Sequence, residues 1–160
     1  MKSPGAVAIV VLAIVVSVSA DAAKGTATYK TSSKTVTVTF AHAYLMKGPD
    51  VVTGTVIRRL LLSSADLSSA LKSCQNMTCS DADVSEGLTV DFDAGPRLNY
   101  WFVADGQKIQ FSGNAAPTVA TLTTNSPTRL AGSLTIDATG AGGPKVQVEF
   151  DASLVKELKK

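Results

Sequence analysis

Few side chains in this 160-residue sequence can do chemistry: two cysteines, one histidine and thirteen acids. Both cysteines lie in SALKSCQNMTC, where four residues separate Cys74 from Cys79. A zinc site needs about four N, S or O ligands at once, so carboxylates would have to complete a set short of histidine and cysteine. A redox-active pair needs two intervening residues and a thiolate-stabilising helix amino terminus. Here four intervene, and Cys74 falls at the carboxyl end of a predicted helix, where the dipole disfavours a thiolate. The spacing therefore points to a structural disulfide closing a small loop, worth about 2 kcal/mol on the loop-entropy model. Asn76–Thr78 also matches the N-glycosylation pattern, and we take this as a chance match.

His42 is the only histidine, the residue type whose ordinary pKa lies nearest neutral pH. It lies in KTVTVTFAHAY, where alternation groups it with Val36, Val38, Phe40 and Tyr44 on an inward face. A core histidine is the expectation, and a hydrolase using His42 is the rival. No G-x-S-x-G elbow supplies a nucleophile. DFDAG, beginning at Asp91, resembles the start of a calcium loop. Ala94 and Phe102 occupy positions where oxygen ligands are required, so the match fails. No cofactor and no metal are expected. Arg58 and Arg59 interrupt the apolar run VIRRLLL, so one shares a face with Val56, Leu60 and Leu62 and the other with Ile57 and Leu61. A buried arginine needs a partner, and Asp91, Asp93 and Glu149 are the candidates.

The chain opens MKSPG, continues as AVAIVVLAIVV from Ala6 to Val16, and reaches SVSADAAK. A short cationic start, an apolar stretch and small residues predict a secretory signal peptide over residues 1–20, cut at Ala20–Asp21 or after Ala22. Residues 21–160 are then a single domain with enough chain to bury a core. Losing Lys2 takes the formal charge from +2 to +1, which argues against a nucleic-acid surface. The expected location is secreted or periplasmic, with no integral membrane segment after cleavage. An oxidising compartment of that kind suits the disulfide.

Valine and threonine alternate with period two, the mark of half-buried strands. Such runs recur at Thr26–Thr31, Thr35–Tyr44, Thr55–Leu62, Leu88–Asp93, Leu98–Ala104, Gln107–Ser112, Thr118–Thr123, Arg129–Asp137 and Lys145–Ala152. Gly, Pro, Asn and Asp clusters separate them. This predicts an all-β fold: an antiparallel β-sandwich, immunoglobulin-like or related, of about 8–9 strands. SSADLSSALKSC breaks the rule. Leu67, Ala70, Leu71 and Cys74 at helical spacing behind capping serines predict one short helix near 65–74.

In NYWFVADGQKIQFS, Asp105–Gly106 reads as a two-residue hairpin pairing Ala104 with Gln107, Phe102 with Ile109 and Tyr100 with Phe111. Hydrophobic parity then requires a three-residue connection at Ala94–Pro96, setting Val90 opposite Tyr100. The other face collects Trp101, Asp91, Asp93, Asn99, Lys108 and Gln110, along with Thr89 and Arg97. This aromatic-plus-polar surface is the candidate binding site.

FAHAYLMKGPD, RRLLLSSADL and GGPKVQVEFDASLV resemble segments of uncharacterised small secreted bacterial proteins. The resemblance spans most of residues 34–152 and implies a small exported β domain, with no activity attached. The expected function is an exported, non-catalytic binding module in the cell envelope. Its partner would be a protein, as for an inhibitor or immunity protein, or an envelope component. A structural envelope protein without a specific ligand is the alternative.

Overall fold

The computed structural model describes residues 21–159; the segment read as a signal peptide, residues 1–20, lies outside them. Nine strands follow the alternation: β1 (Ala22–Lys30), β2 (Thr35–Pro49), β3 (Val56–Ser63), β4 (Gly87–Phe92), β5 (Leu98–Ala104), β6 (Ile109–Ala115), β7 (Ala120–Ser126), β8 (Arg129–Asp137) and β9 (Lys145–Glu157). They form one curled sheet in the order β6-β5-β4-β3-β2-β1-β9-β8-β7, a half-barrel in place of the two facing sheets of a sandwich. The first strand sits near the middle, between β2 and β9, antiparallel to both. Beyond the start of β1, where Ala22 faces His42 and Asp151, β2 and β9 pair directly and in parallel, through Leu45↔Leu154 and Met46↔Lys156.

Curling gives the sheet an inside. Phe40, Leu45, Leu60, Leu62, Phe102 and Phe150 meet there with the smaller side chains of both wings in one continuous core. The two flanking strands, β6 and β7, keep a free edge each. At the mouth of the curl Arg58 forks Asp93 (Nε–Oδ2 2.6 Å, Nη2–Oδ1 3.0 Å) and donates to Asn125 Oδ1 at 2.7 Å. This ties β3 to the end of β7.

Long β2 serves two cores, because its inward parity changes part-way. Val38 and Phe40 point inside, as alternation predicts, but beyond them Ala43 and Leu45 do so. The β1–β2 ladder is irregular at this point, Gly25 facing Phe40 and Ala22 facing His42, so one extra residue is absorbed. A one-residue slip reverses every side chain downstream. Tyr44 therefore turns to the outer face, and His42 leaves the inner core predicted for it to sit half-buried beside Tyr44. Their rings are parallel, with centroids 6.1 Å apart.

The outer face of β2–β5 carries a second core, built from the connection between β3 and β4. Leu67, Leu71, Cys74, Met77 and Val84 from that connection cover Tyr44, Met46, Ile57, Leu61 and Val103. The helix within it, α1 (Ser68–Ser73), is shorter than predicted, and its serines do not cap it. Asp66 does the equivalent work: its Oδ1 accepts the Ser68 N–H at 2.8 Å and the Tyr44 hydroxyl at 2.6 Å. The same hydroxyl accepts the buried Leu67 N–H at 3.0 Å. Cys74 and Cys79 are joined, as their spacing predicts, with Cα atoms 5.6 Å apart. The disulfide closes the loop between α1 and a 3₁₀ turn, Cys79–Ala82.

Val90 faces Tyr100, as predicted. The β5–β6 hairpin differs: Ala104 faces Ile109, Phe102 faces Phe111 and Tyr100 faces Gly113, so the turn holds four residues. Gln107 is drawn out of the strand because its Nε2 donates to the carbonyls of Asp81 (2.8 Å) and Val84 (3.0 Å), tethering the 3₁₀ segment. Asp105, Gly106 and Gln107 all adopt left-handed backbone conformations to make that turn. Because the register moves by two, the faces survive. Gly113 is the residue that lets Tyr100 lie flat, since a Cβ there would come within 2.6 Å of the Tyr100 hydroxyl oxygen.

Candidate functional site

Two rows of outward side chains cross the β3–β6 wing. One runs Arg59, Asp91, Asn99, Asn114; the next runs Leu61, Thr89, Trp101, Ser112. Leu61 disappears under the β3–β4 connection, while the remaining members floor an open cleft of about 510 Å³ walled on one side by Asp81. Trp101 is half-buried: it packs against the second core and lines the cleft as well.

An ion pair fixes the floor. Arg59 is 9% exposed and grips Asp91 through Nε–Oδ1 (2.6 Å) and Nη2–Oδ2 (3.0 Å). Its Nη1 donates to the Met77 carbonyl and reaches Asp81 Oδ1 at 3.4 Å. Burial alone would lower the Arg59 pKa, but the hydrogen bonds and charge of Asp91, helped by Asp81, more than offset this and raise it. Asp81 is the less satisfied acid. Burial pushes its carboxyl up, Arg59 pulls it down, and the neighbouring Asp91 adds to the rise.

Of the six residues assigned to this surface from sequence, Asp91, Asn99 and Trp101 line the cleft. Asp93 leaves it: beyond the end of β4 its backbone is left-handed, with φ 69°, and its carboxylate turns to Arg58. Lys108 lies in the four-residue turn, and Gln110 folds back to donate to the Gln107 carbonyl at 3.1 Å. Sequence parity places one arginine on each face and names Asp91 and Asp93 among their partners, and both pairs form. The wall is not legible in this way, because Asp81 belongs to a loop with no periodicity and reaches the cleft only through tertiary contacts.

Among the described residues, the side chains of Asn99 and Ser112 make no hydrogen bond within the protein, and Asn114 uses its Oδ1 to accept from Arg97 Nε at 2.7 Å. His42 lies outside the cleft lining, and among the described residues its side chain makes no hydrogen bond. Among those residues no group of three or more His, Cys, Asp or Glu is placed to hold a metal ion. No family model, curated protein or solved structure matches this chain.

Proposed function

We propose that this protein is an exported, non-catalytic binding module of the cell envelope, with the Trp101 cleft as its contact surface. One observation carries the reading: an indole with access to solvent shares an open cleft with uncommitted amide and hydroxyl groups. A ligand site needs a few convergent polar groups around an apolar contact, and tryptophan is enriched among residues that dominate binding energy. The arginine and the two carboxylates lining the cleft are locked to one another as Arg59–Asp91 and Arg59–Asp81. The disulfide suits an oxidising compartment. Among the described residues no helix is long and apolar enough to cross a membrane.

Sedimentation of the purified protein with isolated envelope material tests the proposal. The wild-type chain is expected to co-sediment saturably, and Trp101→Ala, still folded by circular dichroism, to remain in the supernatant. Equal sedimentation of the two proteins would remove the cleft from the reading. His42→Gln is expected to sediment like wild type and to leave any cellular phenotype intact. Loss of phenotype in a folded His42→Gln protein that still binds would favour the hydrolase reading.

A further inference from the structure

The groups in the cleft also specify what kind of ligand fits. We propose that it takes a neutral saccharide chain, a pyranoside lying across Trp101 with its hydroxyls on Asn99, Ser112 and Asn114. This rests on the binding-module reading of the same cleft and narrows it to one ligand class.

Charge comes first. An anion would need a free cation, but the Arg59 guanidinium is already engaged by Asp91, the Met77 carbonyl and Asp81. Arg97, at the Asn114 rim, is held to that side chain and is exposed. A cation would meet Asp81, yet its carboxylate already shares Arg59 with Asp91. Counting the rim, two arginines balance two aspartates, so neither sign of ligand gains from the whole.

The uncommitted groups are of another sort. Asn99 offers a donor and an acceptor side by side, Ser112 offers a hydroxyl, and Asn114 keeps its Nδ2 donor after Oδ1 is taken. Vicinal hydroxyls are donors and acceptors at matching spacing, so one sugar edge can engage an amide through two bonds. The opposite requirement, an apolar surface for the indole, is met by the C–H face of the same ring. Asn99, Trp101, Ser112 and Asn114 come from adjacent paired strands, which presents these groups on a rigid sheet with little ordering cost. An open cleft leaves room for the chain to continue past the indole.

Trp101 is the only tryptophan in the sequence, so any change in tryptophan emission comes from this residue. The purified protein is titrated with cellohexaose, chitohexaose and maltohexaose, and with a triarginine peptide and inorganic phosphate for comparison. A saturable emission change with at least one hexasaccharide is expected, unchanged between low and high salt because the ligand is neutral. Asn99 is exposed, so Asn99→Ala keeps the fold, and it is expected to weaken that binding on the order of tenfold, one lost hydrogen-bonding group. Lys108→Ala is expected to bind like wild type. No response to any hexasaccharide, an unchanged affinity in Asn99→Ala, or a salt-sensitive response confined to the triarginine peptide would each overturn the proposal. Envelope binding that survives periodate oxidation but is lost after protease treatment would overturn the saccharide while leaving the binding module standing.

Discussion

Tyr44→Phe removes one oxygen atom, strands one buried N–H and takes a donor from a carboxylate. The Tyr44 hydroxyl clasps strand β2 to the start of α1: it donates to Asp66 Oδ1 at 2.6 Å and accepts the buried Leu67 N–H at 3.0 Å. Asp66 is exposed and can turn to water, but Tyr44 is 3% exposed and Leu67 is buried, so water cannot reach the Leu67 N–H without opening the second core. Leaving the Leu67 N–H unpaired costs about 1–3 kcal/mol, and we expect a loss of about 2 kcal/mol in chemical denaturation at neutral pH. A second readout separates this from simple loss of packing. The Tyr44 hydroxyl, with the Ser68 N–H and hydroxyl behind it, holds the Asp66 carboxyl down at about 2. A depressed carboxylate stabilises the fold above its unfolded pKa, ordinarily about 4, and that stability is lost as pH falls toward about 2. In Tyr44→Phe the Asp66 carboxyl, followed by carbon-detected NMR, is expected to titrate at higher pH and closer to the ordinary range. Ser68 should keep it from returning fully. Wild-type stability together with an unmoved Asp66 titration would refute the clasp.

Three further substitutions probe the parts around it. Replacing Cys74 and Cys79 together by Ser is expected to cost about 2 kcal/mol in a denaturant melt while leaving the far-ultraviolet β signal intact. Arg59→Met strands the Asp91 carboxylate in a largely buried position and is expected to cost about 3–5 kcal/mol by the same melt; adding Asp91→Asn to Arg59→Met is expected to recover part of it. Trp101→Ala, half-buried over the second core, is expected to cost about 2 kcal/mol by circular dichroism, below the 3–5 kcal/mol of a fully buried aromatic deletion.

Local alternation was enough for the strands. Leu98–Ala104 and Arg129–Asp137 begin and end where periodicity and turn residues place them. The side of the sheet each residue faces was legible only while the period held. Beyond Phe40 the faces exchange where β1 takes up one extra residue between Ala22 and Gly25, and nothing in FAHAYLM announces it. The β5–β6 turn shows a different limit, since Asp105–Gly106 has the composition of a two-residue turn and is overruled by Gln107 reaching distant carbonyls. Parity also left open whether the Trp101 face was free or covered. It is both, because the β3–β4 connection lies over Leu61 and Val103 and stops short of Asn99 and Ser112. The sandwich expectation failed at the largest scale. Strand count and spacing are the same for two flat sheets and for one sheet curled on itself, and the choice depends on β1 pairing with β9 across nearly the whole chain.

That pairing orders the assembly of the molecule in time. Of the described strands β1 is made first, yet one of its two ladders waits for β9, the last of them, when Ala27 meets Val146 and Gly25 meets Val148. The β7–β8 hairpin pairs with the sheet only through β9, so until then its strands have no ladder but their own. Contacts so far apart in sequence make folding slow relative to a helical bundle of the same size. A chain stopped at Gly143 retains the strands of one wing and a separate hairpin but lacks the strand that hydrogen-bonds to both, along with the core side chains Val146, Val148 and Phe150 that it carries. Strand β9 must therefore be made before the sheet can close.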